Sequence, residues 1–327
     1  MTRNAPTNTP QTLANAVYLL TACVVCGVLL GATAAQARLG FQYAGQLEIS
    51  RGSDGALRPV SVTCDPVSQE IVVTDARQMG IHIFNPARVE VFRTSGFAAL
   101  VGPVDASLDA AGRTVFLQRL AGRAHAVRRL DLYGEPDGFT AAAPTAEFDP
   151  EHLLVTHDGH YLTLDSNSGL LVKNDADTGV VLWSRNLGGE ATGNNGLMLF
   201  GRPAEAPDGR IIVPGGATHV ILVLDAHGAI QTAFGRFGSS PGRLVFPVGA
   251  AFGPHGELLV LDRMRHKVLV FDGTDYEFQS EFGAQGSSPG QFYHPVALAS
   301  SADGRLFVAQ GFQGRVQVFN ILADEDH

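Results

Sequence analysis

The chain has 327 residues, 45% hydrophobic and 17% charged, with 23 Lys plus Arg against 32 Asp plus Glu and a formal charge of −9. That apolar content excludes disorder, because it can bury a core large enough to offset chain entropy. Three cysteines exclude a disulfide-built scaffold, and an acidic chain without basic runs argues against nucleic acid as a partner, since phosphate contacts supply most of that affinity.

From Leu13 to Ala35 runs a nearly uncharged stretch, preceded by Arg3 and followed by Ala35-Gln36-Ala37. An apolar run ending in a small-x-small triplet is the pattern a signal peptidase reads, so residues 1–37 are predicted to be a signal peptide cleaved after Ala37, with a periplasmic or secreted product. The run is also long enough for a retained membrane anchor, and Leu20-Thr21-Ala22-Cys23 is similar to a lipobox with lipid on Cys23. The Ala-x-Ala site and the single weak cationic charge favour removal, which leaves no stable membrane span, and the apolar residues that follow Cys23 argue against the lipobox. Processing would discard Cys23 and Cys26, so that Cys64 is the one cysteine of residues 38–327 and neither an internal disulfide nor a C-x-x-C-H haem site is available.

Past the leader, FQYAGQLEI (41–49) reads as a spare strand. Short alternating pieces then recur in pairs. IVVTD (71–75) leads to IHIFN (81–85), YLTLD (161–165) to LLVKND (170–175), RIIVP (210–214) to VILVLD (220–225), and LLVLD (258–262) to VLVFD (268–272). Period-2 alternation bounded by Gly, Asp and Asn predicts antiparallel strands. A further strand follows some pairs, as in VEVFRT (89–94), VVLWSR (180–185) and YEFQSEF (276–282).

The strongest signal is a repeat. Phe234-Gly235, Pro241-Gly242, Pro247, Gly256, Val260, Val268, Val270 and Phe271 recur in the same order as Phe282-Gly283, Pro289-Gly290, Pro295, Gly304, Val308, Val316, Val318 and Phe319. A constant offset of this size means a solenoid, a propeller or an array. Turns near positions 69, 112, 159, 209, 256 and 304 mark six units, each the size of a four-stranded blade. The predicted fold is all-β, a six-bladed β-propeller over residues 38–327. Its last unit lacks one strand, which the N-terminal strand supplies, closing the ring and removing two exposed edges.

The segments 237–272 and 282–320 resemble NHL repeats, the units of six-bladed propellers. The resemblance is strong in the last two units, fair in the first and weak in units two to four. It implies a binding platform for proteins or other ligands, with a minority of enzymes such as zinc-dependent amidating lyases and lactonase-like relatives.

In such a ring the residues just after each proline landmark gather at the axial mouth. Two positions past it stand Ser61, Asp105, His152, Arg202, Gly249 and Ala297, and one position past it Val60, Val104, Glu151, Gly201, Val248 and Val296. Asp105, Glu151, His152 and Arg202 come from three consecutive units and are the candidate ligand-binding residues, sufficient for anion capture or weak metal binding. A lyase-type zinc site needs several histidines here, whereas only His152 qualifies and His294 approaches. His157 and His160 flank a turn about 16 Å along the strand from His152, too far to share a metal with it.

Other constellations read as structure. Asp75, Asp165 and Asp262, with Gln118 and Gln310 at the same phase, are expected to close turns between second and third strands. The segments starting at Asp165 and Asp175 resemble calcium loops but lack the closing glutamate. Gly238-Ser-Ser-Pro-Gly242 satisfies G-x-S-x-G but repeats as Gly286-Ser-Ser-Pro-Gly290, so it is an inter-blade loop and not a nucleophile elbow. GGEATGNNG (188–196) breaks the repeat, and irregular loops on regular scaffolds often carry recognition.

The expected function is that of a monomeric, non-enzymatic scaffold outside the cytoplasm, without cofactor, binding a protein or small ligand at the propeller face. The alternative is a metal-dependent lyase or lactonase-like enzyme, with calcium or zinc at the mouth.

Overall fold

The pieces of four to six alternating residues leave no room for helical periodicity, and every regular element described is a strand. The structure, a computed structural model, describes Met1 and residues 39–51, 55–94, 102–119, 125–188, 199–215 and 220–323. The predicted signal peptide, with Cys23 and Cys26, and residues 189–196 of the glycine-rich loop lie outside the described residues. Among the described residues no helix is long and apolar enough to cross a membrane.

After β1 (Leu39–Gln46) the chain lays down four-stranded antiparallel sheets in succession. Blade 1 is β2 (Pro59–Cys64), β3 (Ile71–Asp75), β4 (Gly80–Phe84) and β5 (Glu90–Arg93), and blade 2 is β6 (Pro103–Leu108), β7 (Thr114–Arg119), β8 (His125–Leu130) and β9 (Pro136–Thr140). Blade 3 holds β10 (His152–Val155), β11 (Tyr161–Leu164), β12 (Leu170–Asn174) and β13 (Val181–Asn186), and blade 4 holds β14 (Ala204–Glu205), β15 (Ile211–Gly215), β16 (Val220–Leu224) and β17 (Ile230–Phe234). Blade 5 comprises β18 (Pro247–Phe252), β19 (Leu258–Asp262), β20 (Lys267–Phe271) and β21 (Phe278–Phe282). Blade 6 comprises β22 (Ala297–Ser300), β23 (Arg305–Gln310) and β24 (Arg315–Ala323), with β1 as its outermost strand.

This is the six-bladed propeller expected, closed by the N-terminal strand. Leu39 pairs with Ala323 and Gln46 with Gln317, and Phe41 stacks on Phe282 of blade 5 at 3.9 Å between centroids. The spare strand is shorter than its sequence pattern suggests. Its regular ladder ends at Gln46, with one last bond from the Leu47 amide to the Val316 carbonyl at 3.0 Å, and Leu47 and Ile49 then turn into the core between blades 6 and 1.

Burial follows position within the blade. The second and third strands are almost wholly buried, whereas outer strands such as β13 alternate between half-buried and exposed. The first strands of neighbouring blades touch, β2 against both β6 and β22, and β18 against β14 and β22. The core is not one mass. Among the described residues it forms six apolar clusters, one between each pair of adjacent blades, including the closing pair. Each blade is a slab whose two faces are covered only by its neighbours, so packing is completed only when the ring closes.

A recurrent irregularity shapes the axis. In β2, β6 and β18 the register slips between the proline and the residue two positions on, at Pro59/Ser61, Pro103/Asp105 and Pro247/Gly249. Such bulges re-aim side chains, and at β2 and β6 the residues one and two positions past the proline both line the axial mouth.

Candidate functional site

All four predicted site residues, Asp105, Glu151, His152 and Arg202, line a single cavity of about 620 Å³ at one end of the axis. The other end, bounded by the far ends of all six first strands, holds a smaller cavity of about 260 Å³. Arg202 borders both and stands between them.

Asp105 is 1% exposed, and both its oxygens are occupied. Oδ1 accepts from the Ser61 hydroxyl of blade 1 and from the Ala106 amide at 2.9 Å. Oδ2 accepts from the Leu153 amide of blade 3 at 2.8 Å and from Arg202 Nε of blade 4 at 3.1 Å. Arg202 donates a second bond, to the Leu153 carbonyl at 2.6 Å. One buried carboxylate on blade 2 thus ties together four consecutive blades, with its charge offset by one guanidinium. With its lone pairs engaged, Asp105 is a latch of the ring.

The latch depends on a local departure from the repeat. Blade 4 carries Phe200 where other units carry proline, and β14 is only two residues long. Phe200 bridges to Gly215 of its own sheet, but Arg202 bridges in parallel to Gly249 of blade 5, its amide donating to the Val248 carbonyl at 2.9 Å. A Cβ at Gly201 would lie 2.5 Å from the Val248 carbonyl carbon, so glycine is needed for this approach.

His152 is half-buried, and burial pushes its pKa down to about 4; Asp105 opposes the shift, while Arg202 and Arg263 add to it. The Phe200 backbone also opposes the shift. At neutral pH it is therefore a neutral imidazole, with a lone pair on one of its nitrogens. Glu151 is half-buried, and its carboxylate has no ion-pair partner among the described residues.

The opposite side of the mouth carries residues that the proline landmark does not reveal: Arg58, Arg263, Tyr293 and Phe312, with the anticipated His294. Arg58 precedes its proline, and Tyr293 and His294 lie on the loop entering blade 6. Arg263 and Phe312 sit one and two residues past the Asp262 and Gln310 positions, in turns between second and third strands. That second landmark is visible in the repeat, and it points to the same mouth. His294, in the left-handed region at φ 44°, donates its amide to His266 Nδ1 at 3.2 Å. Burial, reinforced by the neighbouring His294, lowers the His266 pKa.

The turn aspartates behave as expected and do something further. Asp262 Oδ1 accepts from the Met264 and Arg265 amides at 3.1 and 3.0 Å, closing the turn, while Oδ2 accepts from Val245 at 2.6 Å in the incoming loop. Asp75 likewise holds Arg77, Gln78 and the Arg58 amide. Gln310 performs the second task alone, taking the Tyr293 amide at 3.0 Å. These residues therefore position the mouth loops on the blades. In the calcium-like segments, Asp165 accepts from Asn167 and Ser168, and Asp175 from Asp177 and Thr178, as ordinary turns do. His157 pairs with Glu205 and His160 with Asp175, away from the mouth. Cys64 borders the opposite cavity, and burial raises its thiol to about 12, too high for a thiolate at neutral pH. Among the described residues no group of three or more His, Cys, Asp or Glu is placed to hold a metal ion.

With the geometry in place, known structures of the same shape stand out. Virginiamycin B lyase from Staphylococcus aureus, solved as a catalytically inactive histidine-to-alanine variant with quinupristin, superposes with a TM-score of 0.59 at 12% identity, over 87% of this chain and 100% of that one. A streptogramin B lyase gives 0.58 at 14% identity, over 87% and 98%. The likeness is one of fold. No family model and no curated relative matches the sequence.

Proposed function

We propose that this chain is an NHL-type propeller exported from the cytoplasm that binds a small molecule in the larger axial mouth. The observation that carries this reading is the cavity of about 620 Å³, a concave site of ligand size whose polar groups are only partly used by the fold. The Asp105–Arg202 latch closes the floor on one side, while Glu151, Arg58 and Arg263 stand without ion-pair partners among the described residues. A cavity of this size suits a small ligand better than a flat protein interface, which narrows the scaffold reading to ligand binding.

A second reading, a lyase-type enzyme at the same mouth, is favoured by His152. Its neutral imidazole has a free lone pair in the cavity, which a ligand that excludes the nearby arginine charge would make more basic, and the lyases of similar fold put enzymes among the propellers of this shape.

A thermal-shift screen of small polar molecules tests both. A ligand at one hundred times its Kd is expected to raise Tm by about 4 °C. Val296→Trp, which fills the mouth, should remove the shift while leaving the unliganded Tm within about 2 °C. A shift that survives Val296→Trp contradicts the site. Mass analysis of each hit after incubation separates the readings, since conversion lost in His152→Gln marks the enzyme.

A further inference from the structure

The receptive side of the mouth has a chemistry of its own. Arg263 leaves β19 as the first residue of the turn after Asp262. Its Nε donates to the Pro295 carbonyl at 3.4 Å, and its guanidinium carbon stands 5.8 Å from the Phe246 ring centroid. These contacts fix the stem and leave both terminal nitrogens without an acceptor among the described residues, on a residue that lines the cavity. Burial lowers its pKa, and no carboxylate opposes that. A half-buried guanidinium without a carboxylate partner carries a desolvation cost that an anion would offset, and its planar fork matches the two oxygens of a carboxylate.

Beside it stands an aromatic wall. Tyr293 meets His294 edge to face at 4.7 Å, and Phe312 packs against Tyr293 at 6.3 Å and His294 at 5.9 Å. Phe312 is nonetheless 77% exposed and Tyr293 40%, so the rings brace one another and leave apolar surface uncovered. The Pro295 carbonyl that holds Arg263 follows directly on Tyr293-His294, so cation and wall share one loop. The charge balance favours a single negative charge: Arg58 and Arg263 face Glu151, while Asp105 and Arg202 cancel.

We propose that the mouth takes an aromatic carboxylate, the carboxylate paired with Arg263 and the ring laid on the Tyr293–Phe312 wall. The proposal rests on the reading of the mouth as a small-ligand site and names its ligand class. Calorimetric titration of the purified protein with phenylacetate, phenylacetamide, acetate and phenyl phosphate tests it. Phenylacetate is expected to bind at least tenfold tighter than phenylacetamide or acetate, a comparison that requires no variant. Arg263→Ala should weaken phenylacetate at least tenfold, Arg263→Lys should restore part of that, and Phe312→Ala should weaken it several-fold. Phenylacetamide binding as tightly as phenylacetate overturns the carboxylate and leaves the small-ligand reading intact. Tighter binding of phenyl phosphate overturns the proposal in favour of a dianion. Failure of all four probes to bind overturns it, whereas a hit of other chemistry that Val296→Trp abolishes still upholds the small-ligand reading.

Discussion

Deleting Leu39–Gln46 is expected to remove cooperative folding at ambient temperature, or to lower the unfolding free energy by more than about 5 kcal/mol, much of what a domain possesses. The strand is the fourth of blade 6, and without it β24 is left as an open edge. Phe41 would no longer cover Phe282, whose ring also meets Phe292 and Phe319. Because the apolar clusters lie between blades, the damage would spread to the junctions between blades 5 and 6 and between 6 and 1. Phe41→Ala alone should cost about 2 kcal/mol, less than the usual range for a buried phenylalanine because this one is only half-buried. Urea unfolding followed by circular dichroism measures both, and an unchanged midpoint in the deletion would show that closure contributes nothing.

Asp105→Ala should lower stability by ~3–5 kcal/mol, the usual cost of leaving a buried charge without its partner. The loss is specific to the arrangement. Arg202 would keep one bond, to the Leu153 carbonyl, while the Ser61 hydroxyl and the Leu153 amide would lose their acceptor. Replacing both members, as in Asp105→Ala with Arg202→Met, should recover part of the loss, because no unpaired charge remains. In urea the single variant's midpoint is expected to fall by about 1 M or more. A midpoint equal to that of the parent would mean that Asp105 is not a latch and would return it to the set of free ligand groups.

Much of this architecture is legible in the sequence because it repeats. The constant spacing from Pro247 to Pro295 and from Phe271 to Phe319 reflects one blade folding like the next, and the missing strand of the last unit pointed to closure by β1. The convergence of Asp105, Glu151, His152 and Arg202 also follows from the proline landmark. The pairing within that group does not. Asp105 and Arg202 are 97 positions apart, and they meet because Gly201-Arg202 leaves its own sheet for blade 5, a move no other unit makes among the described residues. The one sign of it in the sequence was Phe200 in place of proline. The place of Arg263 and Phe312 at the mouth is hidden in the sequence for a different reason. They follow the Asp262 and Gln310 landmarks, which read as turn closers, and the closers in fact carry those turns to the mouth.

Ligand is expected to enter at the Arg263 end of the axis, on the open side of the Asp105–Arg202 latch. Hydrogen exchange of the protein with and without saturating phenylacetate tests it most directly. Protection is expected in peptides covering residues 58–61, 151–152, 262–266, 292–297 and 310–313, which border or support the larger mouth. Residues 64–67 and 203–205, at the opposite cavity, should exchange unchanged. Protection confined to that opposite end, or spread evenly around the ring, would mean that ligand does not enter at the Arg263 mouth.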